Sequence, residues 1–347
     1  MNHCLFSFYW YRKSTIGGDF NLFDGKIVIS GMRIIFRTGI FTFLLLLNAR
    51  QGNSQSQSSI DSFRLYEDVK VTIDKPQNFS SKKKTIITFF VLPNGNSTEQ
   101  TMGKKMQPGD DWHFDIQHIR AQTKFIRQQL RKKNFIVIYL ENNYKSWPAW
   151  KQKHIDYKSI IPHLVDSLAG LFTAKHKDIY LNGHSGGGSF IFGYLAGVDQ
   201  IPSSVKRISF IDSDYAYDSS YYPKFKNWLQ HVNGSALNVF AYNDSIALYN
   251  GKPFVSATGG TWYRSHLFLS HLQGDFTFSK SSTDSLIIYK NNNSHIQFYF
   301  KININQGIYH TQQVELNGFI HSVLCGTKYD SRNYGYYSGR AYSNFIE

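Results

Sequence analysis

Asp178-Ile-Tyr-Leu-Asn-Gly-His-Ser-Gly-Gly-Gly-Ser-Phe-Ile-Phe-Gly-Tyr-Leu-Ala196 is the stretch that decides how this chain is read. Its first four residues form a short apolar run with strand character, and Phe190 to Ala196 suits a buried helix. Between them stands Gly183-His184-Ser185-Gly186-Gly187. A Gly-x-Ser-x-Gly spacing alone is a weak signal; its setting gives it weight. A sharp strand-to-helix turn can hold a serine hydroxyl above the edge of a sheet. The strained backbone of such a turn admits only very small neighbours, which accounts for Gly183 and Gly187. The helix start behind Ser185 also offers free N–H groups and a positive dipole end to a developing oxyanion. The competing reading is a glycine-rich turn that merely packs a helix on a sheet.

Working outward, Val69–Ile73, Thr85–Leu92, Phe135–Leu140, Arg207–Ile211 and Leu237–Ala241 read as further strands, most of them uninterrupted apolar runs. Helical spacing fills Asp115–Lys132, Ile155–Ala174 (with Pro162 near its start) and Phe225–His231. Strands alternating with helices predict an α/β fold, a doubly wound and mostly parallel sheet, built as one domain over residues 65–347. The pattern changes within 250–305. There Leu286-Ile-Ile-Tyr and Gln297-Phe-Tyr-Phe flank Asn291-Asn-Asn-Ser294 and predict a late β-hairpin insertion. The Tyr-, Ser- and Gly-rich tail Tyr329–Glu347 is expected to be irregular.

The N-terminal region points to export. From Met32, a basic start leads into the apolar run that ends at Leu47, and small and polar residues follow. That is the layout of a signal peptide, over 32–54. The uncharged part, Gly39–Leu47, is too short to span a bilayer. Translation is therefore expected to begin at Met32, with 1–31 as a misassigned upstream segment and 55–64 as a flexible tether. A single-span anchor is the alternative. A secreted or periplasmic protein with no stable membrane span after processing follows from this.

Removing residues 1–54 takes away six basic residues and two acidic ones and lowers the formal charge from +14 to about +10. A basic exported protein suggests polyanions nearby, and an acidic polysaccharide is the partner this favours. Nucleic acid is not expected, because no recognition motif accompanies the charge. Only two cysteines are present, Cys4 and Cys325, so no disulfide framework is available. The 28 Phe and 23 Tyr fit an aromatic core better than a sugar-stacking surface.

With these elements in place, the chain resembles the α/β-hydrolase superfamily over most of residues 65–327, in its exported bacterial serine esterase and lipase-like branch. That resemblance implies a catalytic order of serine, acid, histidine. Ser185 matches the nucleophile. Asp244, after the Leu237–Ala241 strand, matches the acid, with Asp212 and Asp214 after the preceding strand as rivals. His321, in an expected loop after a strand-like Gly307–Leu316 stretch, matches the base. His310 is its rival but is expected to be fixed in that strand. The implied oxyanion donors are the N–H of Gly186 and the loop Asn94-Gly95-Asn96. The implied chemistry is hydrolysis of a carboxylic ester, on a small molecule or a glycan, through an acyl-enzyme, with no cofactor and no metal. A peptidase or amidase would use the same residues, and a non-catalytic polysaccharide-binding protein on the same scaffold is the reading from another class.

Three stretches compete for lesser roles. His113, Asp115 and His118 lack metal-ligand spacing, and a helix start capped by Asp110 or Asp111 is the simpler reading. Trp147 and Trp150 could stack on a sugar if exposed. Gly259-Gly-Thr-Trp-Tyr-Arg-Ser-His266 could form a lid hinge or an Arg pocket for an anion.

Overall fold

The computed structural model describes residues 58–347. The upstream segment, the expected leader and the first residues of the expected tether lie outside the described residues. The rest of that tether is not one. Ser58–Leu65 forms strand β1, paired antiparallel with β2 (Val69–Pro76), so that Ser58 lies opposite Pro76 and Leu65 opposite Val69. Ladder bonds along eight residues order this polar sequence while its side chains stay largely in solvent, as suits an edge strand.

The strands that sequence identified are present, the first ending one residue early and the others slightly longer than expected: β3 (Thr85–Val91), β4 (Asn134–Asn142), β5 (Lys177–His184), β6 (Val205–Ile211) and β7 (Ala236–Tyr242). A two-residue pair, β8 (Leu248–Tyr249) and β9 (Lys252–Pro253), forms a small separate hairpin. The last three strands are β10 (Phe278–Ser282), β11 (Leu286–Asn291) and β12 (Ile296–Lys301). The main sheet has the order β1-β2-β4-β3-β5-β6-β7-β12-β11-β10. From β4 to β12 all neighbours are parallel, and the outer strands on both sides are antiparallel. The late hairpin is therefore real, but its second arm, β12, completes the parallel run beside β7.

The helices are α1 (Thr98–Met102), α2 (Ile119–Gln129), α3 (Trp147–Lys153), α4 (Tyr157–Gly170), α5 (Gly188–Ala196), α6 (Tyr222–His231), α7 (Thr261–Leu272), α8 (Gln312–Glu315) and α9 (Gly318–Leu324). β3 shows how one sequence serves two faces. Ile87, Phe89 and Val91 join the core shared with α3 to α7, whereas Ile86 and Phe90 join the core shared with α2 and α9. The two-residue period of a strand sends alternate side chains to opposite faces, so a strand covered on both sides must be apolar throughout. This is the α/β-hydrolase fold, with helices on both sides of a mostly parallel sheet.

The chain leaves β3 toward β4 on one side and returns past it to β5 on the other. Connections thus diverge between β3 and β5, and the carboxyl ends of these strands frame the crevice where open α/β sheets bind ligands. Ser185 follows β5 directly. Among the described residues, no helix is long and apolar enough to cross a membrane.

Candidate active site

Ser185 has a backbone φ of +54°, in the left-handed region that non-glycine residues seldom occupy. A single 3₁₀ turn, Ser185–Gly187, then leads into α5. The two motif glycines permit this packing. A Cβ on Gly183 would lie 2.8 Å from the Gly187 carbonyl carbon, and one on Gly187 would overlap the Val91 carbonyl at the end of β3. The expected turn at Ser185 is thus present, with its strain at the serine itself.

A histidine–carboxylate pair stands next to this turn, and it consists of His310 and Asp212. Asp212 follows β6, also with a left-handed φ (+47°), and its N–H donates to the Phe240 carbonyl at 2.7 Å. Its side chain is buried. Oδ2 is hydrogen-bonded to His310 Nδ1, and Oδ1 accepts from the Thr261 hydroxyl. The His310 ring is 21% exposed and stacks on the ring of His184, with centroids 4.6 Å apart. His184 Nε2 lies 3.2 Å from the His310 carbonyl oxygen. The residue immediately before Ser185 therefore carries His310 on its face. A carboxylate partner on Nδ1 fixes the proton there and leaves Nε2 of His310 free to accept one.

Asp244 and His321, the pair expected from the resemblance, do not meet. Asp244 is buried at the start of α7, where its carboxylate accepts from the N–H of Thr261 at 2.8 Å and of Trp262 at 3.3 Å. It caps a helix and orients no histidine. Burial, and then the charge of Asp212, push its carboxyl up to about 6. Asp214, also buried, accepts from the Ser265 hydroxyl at 2.8 Å, and burial pushes its carboxyl well up.

His321 is not in a loop. It lies inside α9, 2% exposed, among Phe240, Tyr299, Tyr334 and Tyr336. Its Nδ1 meets the Tyr334 hydroxyl at 2.9 Å, and burial pushes its imidazole down to about 3. A ring this costly to protonate makes a poor proton acceptor at neutral pH. The Gly307–Leu316 stretch is likewise no strand. It is an irregular loop followed by α8, so His310 sits in a loop and His321 in a helix, the reverse of the expectation.

The loop after β3 is sorted by its hydrogen bonds. Gly95 N–H is committed to the Lys145 carbonyl at 2.8 Å, which removes it as an oxyanion donor. Asn96 is 6% exposed and lies behind the loop, near Leu92, Glu141 and Trp147. Asn94 is exposed, and its side-chain amide lies so close to Gly186 that a Cβ there would overlap it. Of the loop residues expected at the site, Asn94 is the one whose side chain packs against Gly186.

Other expectations resolve simply. Trp147 and Trp150 are buried against each other and offer no sugar platform. Asp111 caps a 3₁₀ turn, Trp112–Asp115, by accepting from His113 N–H at 3.0 Å. In the Gly259–His266 stretch, Gly260 and Thr261 open α7, and Arg264 donates to the Tyr217 carbonyl at 3.0 Å. Cys325 is buried. Thr261 is the site contact that sequence reasoning missed. Its place in the unusual Gly259-Gly-Thr run was the available signal.

No protein-family model matches the chain, and no curated relative matches it. Solved structures similar to it include a thermostable esterase (14% identity, TM-score 0.42, covering 77% of this chain and 60% of that one). Another is an acetyl xylan esterase from Aspergillus awamori (12%, 0.41, covering 75% and 99%). A third is the feruloyl esterase module from Clostridium thermocellum (10%, 0.41, covering 78% and 93%). Likenesses this remote say nothing about the reaction.

Proposed function

We propose that the protein is an exported serine hydrolase that cleaves a carboxylic ester through an acyl-enzyme on Ser185, with His310 as base and Asp212 as orienting acid. The observation that carries this is the Asp212–His310 hydrogen bond beside the left-handed turn at Ser185.

Ser185 Oγ attacks the ester carbonyl carbon as its proton passes to Nε2 of His310. Asp212, on Nδ1, holds the ring and stabilises the imidazolium that forms. The carbonyl oxygen becomes an oxyanion and is met by Gly186 N–H and Asn94. As the tetrahedral intermediate collapses, the alcohol leaves with the proton from Nε2. Water then attacks the acyl-enzyme by the same route and releases the acid. All the groups required belong to this chain.

Export rests on the leader-like sequence at 32–54, and the surplus positive charge favours an ester borne by an acidic glycan. A fluorophosphonate probe followed by peptide mapping tests the assignment. An adduct on Ser185 of the folded protein is expected, and its absence would sink the enzyme reading. A panel of aryl esters, feruloyl esters, acetylated sugars and acidic glycan esters then narrows the substrate.

A further inference from the structure

The two aspartates that follow β6 and β7 have divided the work, and a single threonine joins them. Asp212 takes His310 on one carboxylate oxygen and the Thr261 hydroxyl on the other. Among the described residues, these are the two side chains hydrogen-bonded to Asp212. Asp244 lies on the far side of Thr261. Its Oδ2 is 3.3 Å from the same hydroxyl, but a hydroxyl has one proton, and the shorter contact is to Asp212. Asp244 holds the backbone instead, through the N–H groups of Thr261 and Trp262. A side chain on Gly260 would overlap its carboxylate, so glycine there is what admits the cap. Asp212, Asp244 and Thr261 are all 1% exposed or less.

From this we infer that Thr261 is a positioning residue for the acid of the active site, held in place by Asp244; the inference rests on the Ser185–His310–Asp212 reading. A carboxylate bonded through one oxygen can swing about its Cβ–Cγ axis. A donor on the second oxygen fixes the plane, and with it the direction in which His310 presents Nε2. Asp244 contributes at one remove: it accepts from the first N–H groups of α7 and sets the helix start from which Thr261 reaches Asp212.

The test compares Thr261→Val, which keeps the shape and removes the hydroxyl, with Thr261→Ser, which keeps the hydroxyl. The readout is fluorophosphonate labelling of Ser185 in the full chain, resolved into kinact and KI. Loss of a hydrogen bond to a charged group predicts a kinact about tenfold or more below wild type in Thr261→Val. KI should stay within about twofold, and Thr261→Ser should keep kinact within about threefold of wild type, on the same footing. A role in packing alone would not divide the variants this way. Should valine prevent folding, Thr261→Ala carries the same expectation against the same serine control. Wild-type kinact in the hydroxyl-free variant, or an equal fall in Thr261→Ser, would overturn the role of Thr261. Failure of wild-type Ser185 to take the label would overturn the underlying reading and this one with it.

Discussion

His184 and His310 lie face to face, 4.6 Å between ring centroids, and the Nε2 of the first meets the backbone carbonyl of the second at 3.2 Å. A carbonyl only accepts, so His184 carries its proton on Nε2. Burial, and then the nearby His310, push its imidazole well below the ordinary range and keep it neutral. A neutral ring is the appropriate neighbour for a histidine that becomes cationic in the proposed reaction. His184→Phe keeps a buried ring and removes the hydrogen bond. It is expected to lower kcat for p-nitrophenyl acetate about fivefold, the worth of one neutral hydrogen bond, with KM little changed. An unchanged kcat would show that the contact does not position His310.

Asn94 is the side chain that lies over Gly186. If it helps to hold the oxyanion, Asn94→Ala should lower kcat on the order of a hundredfold, the usual cost of one oxyanion donor. Because Asn94 is exposed, the melting temperature should barely move. A loss in KM with kcat intact would instead assign Asn94 to ground-state binding.

Asp244 makes a specific pH signature. Its carboxyl is pushed from 3.8 up to about 6, by burial first and by Asp212 second. Between these values the folded protein holds a proton that the unfolded chain has released. The stability from this group is therefore full below about pH 4 and declines as pH rises through 6. The shift corresponds to about 3 kcal/mol. Urea unfolding of wild type and Asp244→Asn from pH 4 to 7.5 isolates it. The stability of wild type relative to the variant should fall by about that amount across the range. A flat difference would mean that Asp244 is ionised throughout.

His321 should show the opposite slope. Its imidazole is pushed from 6.5 down to about 3 by burial, so only the unfolded chain takes up a proton between those values. Stability from this residue is present above pH 6.5 and is lost as pH falls toward 3, on the order of 5 kcal/mol in all. His321→Phe, which suits the surrounding aromatic rings, should resist mild acid better than wild type. Equal acid sensitivity in thermal melts from pH 4 to 7 would contradict the burial account.

The strands and the turn at Ser185 were legible because their cause is local. A parallel strand buried on both faces must be an apolar run, as Thr85–Val91 is, and a serine on a sharp turn needs glycines at fixed positions. The acid and the base were not legible, because distant contacts decide them. Both Asp212 and Asp244 follow strands, and sequence cannot say which one reaches a histidine. The start of α7 claims Asp244, since its N–H groups need an acceptor and Gly260 leaves room for one. Likewise, Ile308, His310, Gln312 and Val314 alternate as a strand would. Yet the Asn303 side chain bonds the carbonyls of Asn243 and Gly307 and the N–H of Gly307, and turns the segment back as a loop. His321 follows a glycine that looked like a loop signal. Its helix is instead held by Gln122 of α2, whose Oε1 accepts from Ile320 N–H at 3.1 Å.

The central claim is that His310, not His321, serves Ser185, and one measurement separates them most directly: the rate at which a fluorophosphonate labels Ser185 in wild type, His310→Gln and His321→Gln at pH 7.5. Loss of a general base predicts a rate at least about a hundredfold lower in His310→Gln. In folded His321→Gln the rate should stay within a few-fold of wild type. Labelling of His310→Gln at the wild-type rate, or loss of labelling in folded His321→Gln alone, would contradict the account.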